Sequence, residues 1–261
     1  MGVAWGAEAE MMREAQVSEA FADLAEVLVS EYDLTELLHR LADSCVAVCD
    51  AIGAGIVVAD QRGELRDMAY SSEDIRQLER FQLLNDEGPC VECYRTGNVV
   101  EESDLASAGR WPRFSAQAGH IGIGSVRALP LRLRGRTLGA LNLFHAERGW
   151  SSAAVLHSAQ ALADLAVVGI VLSSGDSSLH HTVQSQIQTA LRERSAVERA
   201  KGFLAERGNL SMDEAFERMR TYADGQGLGL TAVARNLITT RSLPPGPVLD
   251  ASARDGRAPA G

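Results

Sequence analysis

The chain has 261 residues, a net charge of −10, 46% hydrophobic residues and 23% charged residues. This length allows one large domain or two of moderate size, and the composition excludes both disorder and a coiled-coil rod as descriptions of the whole chain. The negative charge argues against a protein that binds nucleic acid over its whole surface.

Neither a membrane segment nor a secretory signal is expected from the sequence. The best apolar run, Leu165–Gly175, is about half as long as the roughly 20 residues that a membrane helix needs. The N-terminus carries Glu8, Glu10 and Glu19, where a secretory signal would have basic and then apolar residues. We therefore expect a cytoplasmic protein that makes no membrane contact.

The first predicted elements are helices followed by a β-hairpin. Apolar residues recur at three- and four-residue intervals over Ser18–Asp50, which is typical of helices with one buried face. Asp33, with Glu36 three residues later, predicts the start of the second helical segment. Ala54–Ala59 and Leu65–Tyr70 flank a polar turn and predict two paired strands.

Short helices come next, followed by a second pair of strands. A helix is predicted over Ser72–Leu84 and a shorter one ends near Gly97. Ser125–Leu133 and Thr137–His145 have strong strand patterns and are joined by a short turn that contains glycine. A long helix from Ser151 to about Leu172 follows. This mixture of helices and antiparallel strands predicts an α+β domain.

The C-terminal part predicts a small module of three helices. Ser173–Ser178 has the composition of a hinge. One helix is predicted over Leu179–Arg207, a second begins at the capping box Ser211–Glu214, and a third covers Thr231–Thr240. Such a module is too small for much enzyme chemistry.

Charge and lysine usage set this module apart. Between Leu179 and Ser242 there are nine basic and seven acidic residues, a net charge of +2, so the rest of the chain carries −12. Lys201 is the one lysine in the sequence, against 24 arginines. Lysine and arginine are not interchangeable at a shaped site. The position of this lysine therefore reflects either chance or the need for a compact ammonium group.

The helices of this module carry a spaced motif. The motif resembles that of the ANTAR family of RNA-binding transcription antiterminators. It reads Ala190-Leu191-x-x-Arg194-x-x-Val197-Glu198-x-Ala200-Lys201-Gly202-x-Leu204, then Ala215-Phe216-x-x-Met219-Arg220-x-x-Ala223, then Leu230-x-x-Val233-Ala234.

The upstream domain resembles GAF sensor domains, and more narrowly those fused to ANTAR modules in actinobacteria. The resemblance rests on Glu87-Gly88-Pro89-Cys90, on Tyr94-Arg95-Thr96-Gly97 and on the paired strands Ser125–Leu133 and Thr137–Phe144. Each motif is weak alone, and their order along some 130 residues carries the match.

The resemblances imply a domain organisation. They predict an α+β GAF-like domain with a central antiparallel sheet flanked by helices, followed by a small all-α three-helix ANTAR bundle. The predicted boundaries are a disordered tail at 1–17, the GAF sensor domain at 18–174, a hinge and connecting helix at 175–190, the ANTAR domain at 191–243 and a disordered tail at 244–261.

They also imply a function. The ANTAR family suggests binding to hairpins in nascent RNA to prevent termination, under the control of a small-molecule or redox signal at the GAF domain. Arg194, Lys201, Gly202 and Arg220 are the predicted RNA-binding residues. Glycine in the middle of a helix costs about 1 kcal/mol relative to alanine, and a bare Cα at Gly202 would allow close approach of another helix or of a nucleic-acid backbone.

The family is known to dimerise, and the first helix of the module has a pattern that suits a homodimer. Apolar residues recur there at alternating spacings of four and three, as in a coiled-coil seam, and two cations interrupt them later. A helix packed within a monomer would give a similar pattern. The seam consists of Val183, Ile187, Ala190, Arg194, Val197, Lys201 and Leu204.

Four cysteines and two histidines are the candidate sensing residues. Cys45 and Cys49 fall on an apolar helix face, where cysteine behaves as a small hydrophobic residue. Cys90 and Cys93 have a spacing that could hold a metal or form a redox pair. The ligand-sensing residues predicted are Cys90, Cys93, His120 and His145, and no catalytic residue, metal site or cofactor is predicted.

Two alternatives to an RNA-binding regulator remain open. One is a thiol-based redox enzyme or sensor that uses Cys90 and Cys93, since methionine sulfoxide reductases with GAF domains use cysteines. The other is a protein-interaction module that dimerises through its C-terminal helix without binding RNA. A phospho-acceptor receiver domain is excluded, because it needs a lysine beside its acidic pocket and none precedes Lys201.

Overall fold

The structure is a computed structural model that divides the chain into two compact units, Met1–Thr189 and Ala190–Gly261. Each unit is described by itself. The residues that the structure describes are 2–29, 33–149, 153–172 and 179–241.

The first unit is an α+β domain, as the sequence predicts. In chain order its elements are α1 (Gly2–Val29), α2 (Leu34–Cys49), β1 (Gly53–Ala59), β2 (Leu65–Tyr70), α3 (Glu73–Asn85), α4 (Pro89–Thr96), β3 (Val100–Glu102), α5 (Pro112–His120), β4 (Ser125–Leu133), β5 (Arg136–His145) and α6 (Ala153–Leu172).

The five strands form one antiparallel sheet in the order β2-β1-β5-β4-β3. Helices α2 and α6 pack against one another and against the strands, and α3 and α4 also contact the sheet. Because side chains alternate along a strand, β4 contributes to two cores. Val126 and Ala128 pack with the apolar side chains of α3, α4 and α5, and Leu129 and Leu131 are buried on the opposite face.

Local sequence signals fix several element ends. The Asp33 side chain accepts hydrogen bonds from the backbone N–H groups of Thr35 and Glu36 and so begins α2. The β4–β5 turn consists of Arg134 and Gly135, with φ values of 49° and 80°, between the paired residues Leu133 and Arg136. Positive φ at both central residues is the geometry of a type I′ hairpin. These predictions are confirmed.

Helix α1 differs from the sequence-based expectation. It extends from Gly2 to Val29 and so includes residues 2–17 of the segment for which the sequence predicts a disordered tail. The segment is rich in alanine and glutamate, which favour helix, and the structure has helix there. Leu24, further along α1, is buried.

Helix α6 is more apolar than expected from the sequence. Within the described residues, Val155–Leu172 is long and apolar enough by composition to span a membrane, with a mean hydropathy of 1.8. The expectation that no stretch approaches this length was therefore wrong. In the structure the helix contacts α2 and β4, and Val155, Leu162 and Ile170 are buried, as in the core helix of a globular domain.

The second unit contains a helical bundle formed by α7 (Leu179–Gly208), which begins in the first unit, α8 (Met212–Gln226) and α9 (Leu230–Thr240). The capping box at the start of α8 is present: the Ser211 hydroxyl accepts from the Glu214 N–H, and the Glu214 carboxylate accepts from the Ser211 N–H. The core of the bundle consists of Val197, Ala200, Leu204, Ala215, Phe216, Met219, Ala223, Leu230, Val233, Ala234 and Leu237.

The predicted start of the ANTAR domain lies one residue from the start of the second unit. The ANTAR domain was predicted from residue 191, and the second unit begins at Ala190. Of the predicted hinge and connecting helix at 175–190, the residues from Leu179 onward belong to α7. The segment 173–178 and the predicted tail at 244–261 lie outside the described residues.

The second half of the predicted coiled-coil seam is accounted for by packing within the bundle. Val197 and Leu204 belong to the bundle core, and Lys201 between them is fully buried. Val183 and Ile187, nearer the start of α7, are buried as well. The pattern therefore fits a packed helix, and the homodimer stays a prediction.

Candidate functional site

Lys201 has an ammonium group that lies inside the C-terminal bundle. Its side chain is 1% exposed, and Nζ lies 3.4 Å from Oε2 of Glu198. The same Nζ lies 5.8 Å from the centre of the Phe216 ring, within the range of a cation–π contact. The only lysine in the sequence therefore joins a carboxylate of α7 to an aromatic ring of α8.

The local sequence explains this position. Lys201 lies three residues after Glu198 and three before Leu204 in α7, so these side chains are neighbours on the helix. Leu204 belongs to the bundle core. Phe216 enters the same core from the first turns of α8, whose start is fixed by the capping box at Ser211. The lysine is thus held on the packed side of α7.

Arg220 lies on the same side of α8 as Phe216, one turn further along. Its guanidinium carbon is 5.8 Å from the centre of the Phe216 ring, and Nη1 donates to the Glu217 carboxylate at 3.1 Å. The Arg220 side chain is 17% exposed. The Phe216 ring therefore contacts two cations, one buried and one partly accessible.

Gly202 and Arg194 complete the predicted RNA-binding set. A Cβ added at Gly202 would meet no atom within 4 Å, so the described chain gives no packing reason for glycine there. Arg194 is partly buried. The geometry thus places Lys201 inside the bundle, Arg194 and Arg220 at its edge and Gly202 at an open surface. That these residues contact RNA stays a prediction.

A buried polar cluster lies in the first unit, between α3 and the sheet. The Glu79 carboxyl accepts a hydrogen bond from the Asn142 amide at 2.7 Å and another from the Gln82 amide at 3.2 Å. Gln82 in turn accepts from the backbone N–H of Cys90 at 3.1 Å. Glu79, Gln82, Asn142 and Cys90 are all fully buried.

Glycines make room for this cluster. A Cβ at Gly55 on β1 would lie 2.3 Å from Oε1 of Glu79, and one at Gly88 would lie 2.2 Å from Oε1 of Gln82. Among the described residues, the Asn142 amide oxygen is buried without a hydrogen-bond partner. The cluster is therefore closely packed and keeps an acceptor that a bound group could use.

Burial determines the protonation of the carboxyl and the thiols. Burial raises the pKa of Glu79 to about 8, although the hydrogen bond from Asn142 acts to lower it. This carboxyl is therefore largely neutral at pH 7. Burial also raises the pKa of Cys93 to about 12 and that of Cys90 well above its ordinary value. Neutral thiols are poor nucleophiles.

The four predicted sensing residues are not brought together. Cys90 and Cys93 lie on α4, and both belong to an apolar core cluster. His120 is exposed at the end of α5. His145 ends β5, where Nδ1 lies 3.1 Å from the Asp50 carbonyl oxygen and burial lowers its pKa. Within the described residues, no hydrogen bond joins either histidine to the cysteine pair.

Sequence reasoning missed Glu79 and Asn142. Glu79 follows Leu78 on the face of α3 that also carries Ile75, so its helical position indicated burial. Asn142 interrupts an otherwise apolar strand, and a lone polar residue at a central strand position is a usable signal. Groups of three or more potential metal ligands are absent from the part of the chain that the structure describes.

Comparison with known proteins agrees with this division of the chain. A GAF domain model matches residues 31–171, and an ANTAR domain model matches residues 185–238. The chain is a GAF–ANTAR protein. No curated protein matches it. The GAF–ANTAR architecture is that of a regulatory protein in which a sensor domain precedes an RNA-binding module.

Solved structures are similar to the GAF domain of this GAF–ANTAR protein at low identity. The GAF domain of an Acinetobacter phosphoenolpyruvate-protein phosphotransferase is 13% identical with a TM-score of 0.47, covering 60% of this chain and 92% of that one. Free methionine-R-sulfoxide reductase from Neisseria meningitidis is 16% identical with a TM-score of 0.48, covering 60% and 89%. A GAF/HD domain protein from Geobacter sulfurreducens is 17% identical with a TM-score of 0.44, covering 52% and 91%. At these values the similarities carry no information on ligand or activity.

Proposed function

We propose that this GAF–ANTAR protein is a transcription antiterminator that binds hairpins in nascent RNA and is not an enzyme. The observation that carries the proposal is the ANTAR match over 185–238, which includes most of α7 and all of α8. The net charge of +2 between Leu179 and Ser242 supports it, because binding to phosphates depends on basic side chains.

The burial of the thiols favours a small molecule over a redox change as the signal at the GAF domain. All four cysteines are buried, and reactive cysteines are normally accessible and of low pKa. The same burial speaks against a thiol-based enzyme. Cys90, Cys93, His120 and His145 are retained as proposed sensing residues, with Glu79 and Asn142 added to them.

RNA binding is tested with the full-length protein and a synthetic RNA that carries two short stem–loops. The control RNA has the same length but is fully base-paired, since proteins read sequence in RNA chiefly at unpaired loops. We expect binding to the looped RNA and read-through of a terminator in transcription with purified polymerase. Absence of binding to the looped RNA would contradict the proposal.

Variants of the predicted contact residues refine this test. Arg194→Gln and Arg220→Gln should each weaken binding and reduce the dependence of affinity on salt, as expected on losing a phosphate contact. Arg80→Gln is the matched control, because Arg80 is an exposed arginine in the GAF domain.

Peroxide treatment tests the nature of the signal at the GAF domain. It should leave RNA affinity unchanged, and a large change would favour a redox signal.

A further inference from the structure

One exposed face of α7 carries three arginines and an aromatic ring. Arg192, Arg199 and Arg207 are exposed, and Phe203 is partly exposed. Along the helix, Arg199 follows Arg192 by seven residues, Phe203 follows Arg199 by four, and Arg207 follows Phe203 by four. At 100° per residue these four side chains lie within an arc of about 80°. Gly202, whose surroundings are open, lies beside Phe203. We call these five residues the α7 outer face.

Two other arginines of the bundle form ion pairs, whereas those of the α7 outer face form none among the described residues. Arg220 is paired with Glu217 at 3.1 Å and Arg235 with Glu193 at 3.4 Å. Among the described residues, no ion pair involves Arg192, Arg199 or Arg207.

Between Arg192 and Arg207 on α7, Glu206 is the one exposed acidic residue. The face therefore keeps a net positive charge whose guanidinium groups can donate to an incoming anion.

Phe203 is placed for stacking. Within the part of the chain that the structure describes, it is neither in the bundle core nor among the apolar side chains packed against that core. The Arg207 guanidinium carbon lies 5.3 Å from the centre of the Phe203 ring. Unpaired bases stack on aromatic rings and on guanidinium planes. The missing Cβ at Gly202 leaves the helix backbone accessible next to this ring.

We propose that the α7 outer face binds unpaired RNA: Phe203 and Arg207 stack a loop base, and Arg192 and Arg199 contact the flanking phosphates. The inference rests on the proposed RNA-binding function and deepens it by naming a surface distinct from Lys201 and Arg220. The charge favours RNA over a second copy of this chain, because two such faces would bring like charges together.

The test uses the full-length protein and the RNA with two stem–loops. Arg199→Gln should weaken binding about tenfold and lower the salt slope by roughly one, because one phosphate contact is lost. Phe203→Leu should weaken binding about tenfold with the salt slope unchanged, and Phe203→Tyr should restore it, because stacking needs an aromatic ring. Arg235→Gln on α9 is the matched control and should bind like the wild type.

The outcomes separate this inference from the proposed function. If the wild type binds the looped RNA and all the α7 variants bind equally well, the inference is overturned and the proposed function stands. If the wild type binds no RNA, both fall. If Phe203→Leu instead dissociates a dimer in sedimentation velocity, the face is an interface between copies and the inference is likewise overturned.

Discussion

Lys201 and Glu198 form an ion pair of 3.4 Å on the packed side of α7, with the lysine side chain 1% exposed. A residue that the family motif and its charge mark for RNA contact is therefore turned into the bundle. There its ammonium faces the Phe216 ring, on which the Arg220 guanidinium also lies. We therefore predict a positioning role for Lys201, in which its ammonium links α7 to α8 and so helps to place Arg220.

The burial of Lys201 predicts that its amine is protected from reagents. In the native protein an amine-reactive ester should leave the peptide that contains Lys201 unmodified, and in urea the same peptide should be labelled. Mass spectrometry reads the result without ambiguity, because the sequence has no other lysine. Fast labelling of the native protein would show that the ammonium reaches solvent.

A second prediction concerns the loss of this ion pair. Lys201→Ala should lower the free energy of unfolding by about 2–3 kcal/mol, because it removes the buried ion pair with Glu198 and opens a cavity. Urea denaturation followed by circular dichroism measures the change, and exposed Arg199→Ala is the control. RNA affinity should fall with an unchanged salt slope. A slope reduced by one would instead indicate a direct phosphate contact.

The predictions from sequence succeeded where the interaction is local. Asp33 caps α2 through residues two and three positions away, and Ser211 and Glu214 cap α8 within four residues. The hairpin turn at Arg134 and Gly135 needs positive φ at two adjacent residues. Each signal lies within a few residues of the element that it defines, so one sequence is enough to find it.

Contacts between distant residues could not be found in this way. Asn142 and Glu79 are 63 residues apart, and nothing local shows that their side chains meet. For Lys201, the helical pattern of α7 fits both an exposed seam and a packed core. Only the positions of α8 and Phe216 decide between them. The sequence therefore places candidate RNA-binding residues on α7, but it could not distinguish the buried cations of that helix from the exposed ones.

Two glycines in the middle of helices provide a matched stability test. A Cβ at Gly202 would meet nothing within 4 Å, whereas one at Gly169 in α6 would lie 2.4 Å from Cδ2 of buried Leu37. Gly202→Ala should stabilise the protein by about 0.5–1 kcal/mol, since alanine favours helix. Gly169→Ala gains the same helix preference but overpacks the core, so it should be less stable than Gly202→Ala by about 1–3 kcal/mol.

The same substitution separates stability from RNA binding. If RNA approaches the backbone beside Phe203, Gly202→Ala should weaken RNA binding even though it stabilises the fold. A melting curve and an RNA titration on one preparation measure both. A variant less stable than the wild type would contradict the open surroundings of Gly202, and unchanged affinity would argue against a backbone approach there.

The cysteines are predicted to be unreactive in the folded protein. All four are buried, and burial raises the pKa values of Cys45, Cys90 and Cys93. Because the thiolate is the reactive form, a chromogenic disulfide reagent at pH 7.5 should titrate none of them rapidly, and it should titrate four in denaturant. Rapid reaction of Cys90 or Cys93, identified with Cys→Ser variants, would favour the redox alternative.

Glu79 is predicted to make stability depend on pH. Burial raises its pKa in the folded protein from the ordinary value of 4.5 to about 8. Between these two pH values the folded protein holds a proton that the unfolded chain releases. The contribution of Glu79 to the free energy of unfolding is therefore fully present below about pH 4.5 and is lost as the pH rises through about 8. Its slope reaches at most about 1.4 kcal/mol per pH unit.

Glu79→Gln isolates this contribution from those of other titrating groups. The amide keeps the shape of the neutral carboxyl and an oxygen that can accept from Asn142, but it has no proton to lose. Urea denaturation at pH 5.5, 7 and 8.5 should show the stability of the variant relative to the wild type increasing with pH. A difference that stays constant across this range would mean that Glu79 is ionised within the fold. In that case the Asn142 and Gln82 amides would stabilise its carboxylate more than burial destabilises it.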